Sequence, residues 1–112
     1  MKTFIIDIDG TICNSIPGGD YSKAIPIQQV IDKINFEYSR GNKIILYTAR
    51  GMRTFSGDVF KISSYHGPIL ETWLAKYNVR YHDLVFGKMW SEGELYYIDD
   101  RNLSINEFME LK

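Results

Sequence analysis

The chain is poor in the features that would assign it to an unusual class. It has a single cysteine, Cys13, so an intrachain disulfide framework is excluded and a reducing, cytoplasmic setting is expected. No apolar run approaches the ~18 residues of a membrane span. Only Lys2 and a very short apolar run precede Asp7, so no signal peptide is expected. Charge of one sign is not in excess: 13 Lys and Arg stand against 14 Asp and Glu, for a net charge of -1. That balance argues against nucleic acid or an anionic membrane as the main partner. His66 and His82 have no acids at metal-ligand spacing and read as structural, as does Cys13.

What remains is an ordinary globular composition, 45% hydrophobic and 24% charged over 112 residues. That length supports one compact domain, residues 1–112. "KTFIIDID" reads as a buried strand, β-branched and aromatic. Residues 10–25, rich in Gly, Pro, Asn and Ser, read as a loop or flap. From Pro26, Ile27, Val30, Ile31, Ile34 and Tyr38 form a helical stripe that Gly41 stops. "KIILYT" is a second strand, and "ARGMRTFSGDV" is irregular. Ile69, Leu70, Trp73, Leu74 and Tyr77 predict a helix opened by Pro68 and closed near Asn78. "DLVFG" and "LYYID" predict short strands. "SINEFMELK" predicts a last helix with Ser104 as N-cap and Glu107 completing a capping box.

Strands alternating with helices imply right-handed crossovers and a mainly parallel sheet. In such sheets ligands bind at the carboxyl ends of the strands. The polar residues fall there. The first strand ends in Asp7 and Asp9, followed by Gly10 and Thr11. The second ends in Thr48, then Ala49 and Arg50. The third runs into Gly87 and Lys88, and the fourth ends in Asp99 and Asp100. Each residue alone has a plain structural explanation as turn former, cap or solvated charge. Their coincidence at four successive strand ends does not. Several close carboxylates need a counter-ion, and a hard cation such as Mg2+ supplies it. Lys88 and Thr48 suit an anion beside that metal, and Gly10 lets backbone N–H groups approach it. Metal, carboxylate nucleophile and phosphate clamp together describe phosphoryl transfer.

The same residues resemble the four signatures of the haloacid dehalogenase superfamily. "DIDGT" resembles the first, "ILYTA" the second, Lys88 stands for the third and "YYIDD" for the fourth, in order across residues 4–101. "GMRTFSGDVFKI", "ILETWL" and "FGKMW" further resemble a small subgroup linked to capsule or surface-polysaccharide synthesis, with Met89 where such relatives often have proline. The resemblance implies a Rossmann-like three-layer α/β sandwich and a Mg2+-dependent phosphatase working through an aspartyl-phosphate. It implies Asp7 as nucleophile and Asp9 as general acid and base. It implies a metal held by the Asp7 carboxylate, the Asp9 backbone carbonyl and the Asp99–Asp100 pair, with Asp100 the direct ligand and Asp99 acting through water or as an orienting group. Thr48, the Ala49 N–H and Lys88 would hold the phosphoryl oxygens, with Gly10 and Thr11 lining the same anion site.

Family members often carry a cap, but neither gap between motifs here is long enough for one. A minimal, nearly capless enzyme is expected, with an open site for a large substrate or one that a second subunit of a homo-oligomer covers. Arg50, Arg53 and Lys61, in the loop beyond the second motif, are the candidates for reading an anionic substrate. Tyr21, Tyr65 and Trp90 can line the mouth or simply pack. The substrate class that suits is a sugar or polyol phosphate. A protein or nucleic-acid end is an alternative, as is a non-catalytic binding domain on the same fold. A signalling receiver domain would place its acceptor Asp after the third strand, and the order of motifs here is different.

Overall fold

In a computed structural model of the chain, residues 1–16 and 19–112 are described. Residues 17 and 18, within the expected flap, lie outside them. Three strands form one sheet: β1 (Thr3–Asp7), β2 (Lys43–Thr48) and β3 (Asp83–Phe86). They are parallel in the order β1-β2-β3, with Thr3 opposite Lys43, Asp7 opposite Tyr47 and Thr48 opposite Phe86. Among the described residues there are also three α-helices: α1 (Gln28–Ser39), α2 (Val59–Lys76) and α3 (Ile105–Glu110). A 3-10 turn spans Tyr21–Lys23.

Helix α1 follows its expected stripe, burying Val30, Ile31 and Ile34. Gly41, at φ +88°, turns the chain into β2 in a conformation that side chains disfavour. Helix α2 starts at Val59, earlier than the Pro68 that the sequence suggests. Asp58 caps it by accepting a hydrogen bond from the Lys61 N–H. Pro68 therefore lies inside the helix, where it removes one backbone donor. Burial of Ile62 before it and of Leu70, Trp73 and Leu74 after it holds the helix together across that defect. Helix α3 is capped as expected, with the reciprocal Ser104–Glu107 pair in place.

The helices pack on one face of the sheet. Ile6, Ile44 and Leu46 share a core with the buried residues of α1 and α2 and with Phe108 of α3. Right-handed crossovers stepping in the same direction, β1 to β2 to β3, place both helices on the same side. The α/β class, the parallel sheet and the lack of a cap are as expected. Within the described residues, however, the layers number two rather than the expected three. The opposite face carries Ile5, Ile45, Tyr47 and Val85, and none of these packs against that core.

The expected strand at "LYYID" is also not formed. The chain between 89 and 104 is irregular, and Tyr96 and Ile98 are 74% and 94% exposed. A parallel return beside β1 takes a crossover of about a dozen residues or more, usually a helix. Only roughly six residues, 89–94, stand between Lys88 and Leu95. A link of that length leaves no room for such a crossover helix.

Candidate active site

The carboxyl ends of β1 and β2, with Lys88 beyond β3, meet at one edge of the sheet. Lys88 is brought there by its own backbone: its N–H donates to the Thr48 carbonyl at 3.1 Å, just past Gly87, whose φ is +90°. Its ammonium then lies 3.1 Å from Asp7 Oδ1, and the Thr11 hydroxyl lies 3.3 Å from Asp7 Oδ2. Asp7 therefore has an ion pair on one oxygen and a hydroxyl on the other. The Lys88 ammonium also sits 4.3 Å from the centre of the Tyr97 ring, a cation–π contact.

Asp9 has a different partner. Arg50 Nε approaches both of its oxygens, at 3.1 and 3.0 Å, and Arg50 Nη2 lies 2.9 Å from Oδ1. Such forked pairing is the strong form of an ion pair. Expected in the open loop as a substrate contact, Arg50 is instead buried, because its guanidinium turns back onto Asp9 and stacks 4.2 Å from the Tyr21 ring. Its Nη1 is buried with no hydrogen-bond partner. Thr48 is fully buried too: its hydroxyl accepts from the Arg50 N–H at 3.1 Å and reaches Asp9 Oδ2 at 3.5 Å.

The turn after β1 is closed on itself. The Gly10 N–H donates to the Cys13 carbonyl and the Thr11 N–H to the Ile8 carbonyl. Those two amides were expected to face an anion; the tight turn, with Gly10 at φ +84°, uses them internally. Cys13 is buried beside Asp9, and its thiol is pushed up to about 11 by burial and then by the Asp9 charge, which keeps it unreactive.

Beside Arg50 opens a cleft of about 660 Å³ lined by Tyr21, Gly51, Phe55, Tyr65 and His66. Tyr21 and Tyr65 thus line the mouth, while Trp90 does not. Burial, and secondarily the Arg50 charge, lowers the pKa of His66, and its Nδ1 is buried without a partner. The other histidine is structural as read: His82 Nδ1 accepts from the Ile44 N–H and its ring stacks on Tyr38. Arg53 is 77% exposed and pairs with Glu92 across 3.3 Å at the surface. Lys61 is exposed on the first turn of α2.

No family model matches the sequence, and no curated protein matches it. Two solved structures do. A target protein from Vibrio cholerae, known from its crystal structure, is 37% identical, with a TM-score of 0.90 over 100% of this chain and 90% of that one. The chain belongs to the family of that protein. The second is a D,D-heptose 1.7-bisphosphate phosphatase from B. bronchiseptica, crystallised with magnesium and phosphate. It is 17% identical, with a TM-score of 0.53 over 77% of this chain and 49% of that one. This second likeness shows the fold, which is haloacid dehalogenase-like.

The neighbour's magnesium calls for a test of this chain's own acids. Their donor chemistry suits a hard cation, since the Asp7, Asp99 and Asp100 carboxylates and the Asp9 backbone carbonyl are all oxygen donors. Their placement does not. Among the described residues no group of three or more His, Cys, Asp or Glu side chains gathers as a metal site. Lys88 and Arg50 neutralise Asp7 and Asp9 instead. Asp99 and Asp100 lie on the exposed segment, where the Arg101 N–H and then a bond to Asp100 hold Asp99 below the usual carboxylate range. As arranged, these residues do not form a magnesium site.

The residues hardest to find from sequence were those that act on the acids. Nothing in "TARG" says that Arg50 points inward, and Tyr97 read as a strand residue rather than as the cover of Lys88.

Proposed function

We propose that the chain is a phosphatase of the haloacid dehalogenase type, hydrolysing a phosphate monoester through an aspartyl-phosphate on Asp7. The observation that carries this reading is the Asp7–Lys88 pair at the carboxyl edge of a parallel sheet, with Asp9 one residue beyond. Lys88 would hold a phosphoryl oxygen next to the attacking carboxylate, which meets the charge developing on the transferred group. An Asp7 oxygen forms the new bond to phosphorus as the bond to the leaving oxygen breaks, and Asp9 gives that oxygen its proton. Water then attacks phosphorus, Asp9 takes a proton back, and the bond from Asp7 to phosphorus breaks to release phosphate.

Arg50 sets a condition on that cycle. Both Asp9 oxygens are engaged by the guanidinium, so the acid–base work of Asp9 requires that pair to open. A substrate phosphate competes for the guanidinium by the same forked geometry. Arg50 in this reading senses the arriving anion and frees Asp9. The aromatic cleft beside it suits the leaving group of a sugar or polyol phosphate, since aromatic rings accept the apolar faces of such groups and His66 offers a polar edge. The link to surface-polysaccharide synthesis rests on sequence resemblance alone. A Mg2+ requirement is part of the proposal, supported by the magnesium of the heptose bisphosphate phosphatase neighbour; the groups that would hold it are the Asp7 carboxylate, the Asp9 backbone carbonyl and the Asp99–Asp100 pair.

Replacing Asp7 with Asn tests the reading. Hydrolysis of a generic aryl phosphate in the presence of Mg2+ should fall by about 10³ or more, with the circular dichroism spectrum unchanged. Unchanged turnover would remove Asp7 as nucleophile.

A further inference from the structure

We infer that a second copy of this chain docks on the bare face of the sheet, forming a two-fold symmetric dimer. The inference is independent of the phosphatase reading. Parallel sheets are stable when both faces are covered. Here one face has α1, α2 and α3, and the other presents Ile5 at 65% exposure and Val85 at 40%, with Ile45 and Tyr47 between them. Register explains why these four make one patch: strand alternation sends them to the same side, and β1 to β3 run side by side. An apolar surface of this kind marks an interaction site.

The charges on the same face select the occupant. At its amino end Lys43 and Asp83 pair at 3.6 Å. At its carboxyl end Asp7, which continues the row of Thr3 and Ile5, pairs with Lys88. Each charge has its opposite beside it, so the face offers no net field to nucleic acid or to an anionic membrane. An equally apolar, equally neutral face complements it, and the chain itself has one. Such self-complementary contact of one patch with its own copy is what a two-fold dimer requires.

The exposed segment adds area to this surface. The Tyr97 ring lies over Lys88, so the segment leaves the sheet at the carboxyl end of the bare face. It is braced internally by the Asn102 side chain on the Tyr97 carbonyl and by the Tyr97 hydroxyl on the Met89 carbonyl. Tyr96 and Ile98 project from it into solvent. A typical stable interface covers roughly 800 Å² per partner. That is about a tenth of the 7367 Å² surface of this chain. The Vibrio cholerae relative shares the architecture along the whole chain and has little unmatched length with which to cover the face itself.

Sedimentation equilibrium at about 50 µM, above a micromolar Kd, tests the inference. The expected mass is twice the 13.0 kDa of the chain. Ile5→Lys and Val85→Lys place a charge on either side of the face, at positions outside the core cluster. Each should raise the dimer Kd by about tenfold or more. Phe60→Lys, at a position exposed on α2, should leave it unchanged. A monomeric wild-type chain overturns the inference, whether the face is then covered by another protein or by the chain's own segment. A dimer that persists undiminished in both face variants also overturns it, because the contact would then lie elsewhere.

Discussion

Arg50 follows a strand-end threonine and an alanine, a position from which a long side chain can reach either solvent or the neighbouring strand end. The structure takes the second path, and the consequence is local: the two acids of "DID" carry different partners, Lys88 on Asp7 and Arg50 on Asp9. Asp7, Asp9, Thr48 and Lys88 were legible because each is tied to a strand end by backbone geometry that the apolar pattern reveals. The direction of Arg50 was not, since it depends on Tyr21 and Cys13 arriving from another loop. His66 gives a prediction at this scale. Its pKa in the fold lies below the ordinary 6.5, chiefly through burial and then through Arg50. The unfolded chain therefore binds the proton first. Stability is intact above about pH 6.5 and falls as pH drops through the folded value. A melting-temperature profile from about pH 7.5 to 5 should show this decline, and His66→Asn should flatten part of it. An identical slope in the variant would mean that other groups carry the dependence.

At the scale of elements, α1, β2, β3 and α3 were readable because each carries a local signal, the spacing of its apolar residues or, for α3, its capping box. Helix α2 was misread in its first half. The Gly67–Pro68 pair looks like a start, yet Asp58 supplies a better cap and the burial of Ile62 and Leu70 on either side outweighs the lost hydrogen bond. A buried carboxylate ties two elements together. Glu37, near the end of α1, accepts from Asn42 Nδ2 at 2.7 Å, and Asn42 Oδ1 accepts from the Lys2 N–H at 2.8 Å. Lys33 and Arg40 pair with the same carboxylate. Asn42 thus links the end of α1 to the start of β1. Asn42→Ala should cost about 1–3 kcal/mol, because it leaves one oxygen of Glu37 without that donor. Denaturant titration measures it, and a loss under about 0.5 kcal/mol would mean that water or a lysine takes over.

At the scale of the molecule, the acids of the fourth motif are the open element of the site. If Mg2+ joins Asp7 to the Asp99–Asp100 pair, the ion binds the folded chain and not the unfolded one. At a hundredfold excess over Kd it should then add about 2.7 kcal/mol to stability. The wild-type melting temperature should rise by several degrees with added Mg2+, and Asp100→Ala should reduce that rise. No rise in the wild type would take the metal out of the proposal.

The amino-acid sequence by itself determined the class, the order of three strands and three helices and the placing of Asp7, Asp9, Thr48 and Lys88 at strand ends. All of these follow from the spacing of apolar residues and from turn and cap chemistry, which act over a few positions. Only the tertiary structure decided the rest. It paired Arg50 with Asp9, closed the Gly10 turn on itself, kept "LYYID" out of the sheet and left one sheet face without helices. Those outcomes depend on which distant segments meet and on whether a link is long enough to cross a sheet, and neither is written in local periodicity.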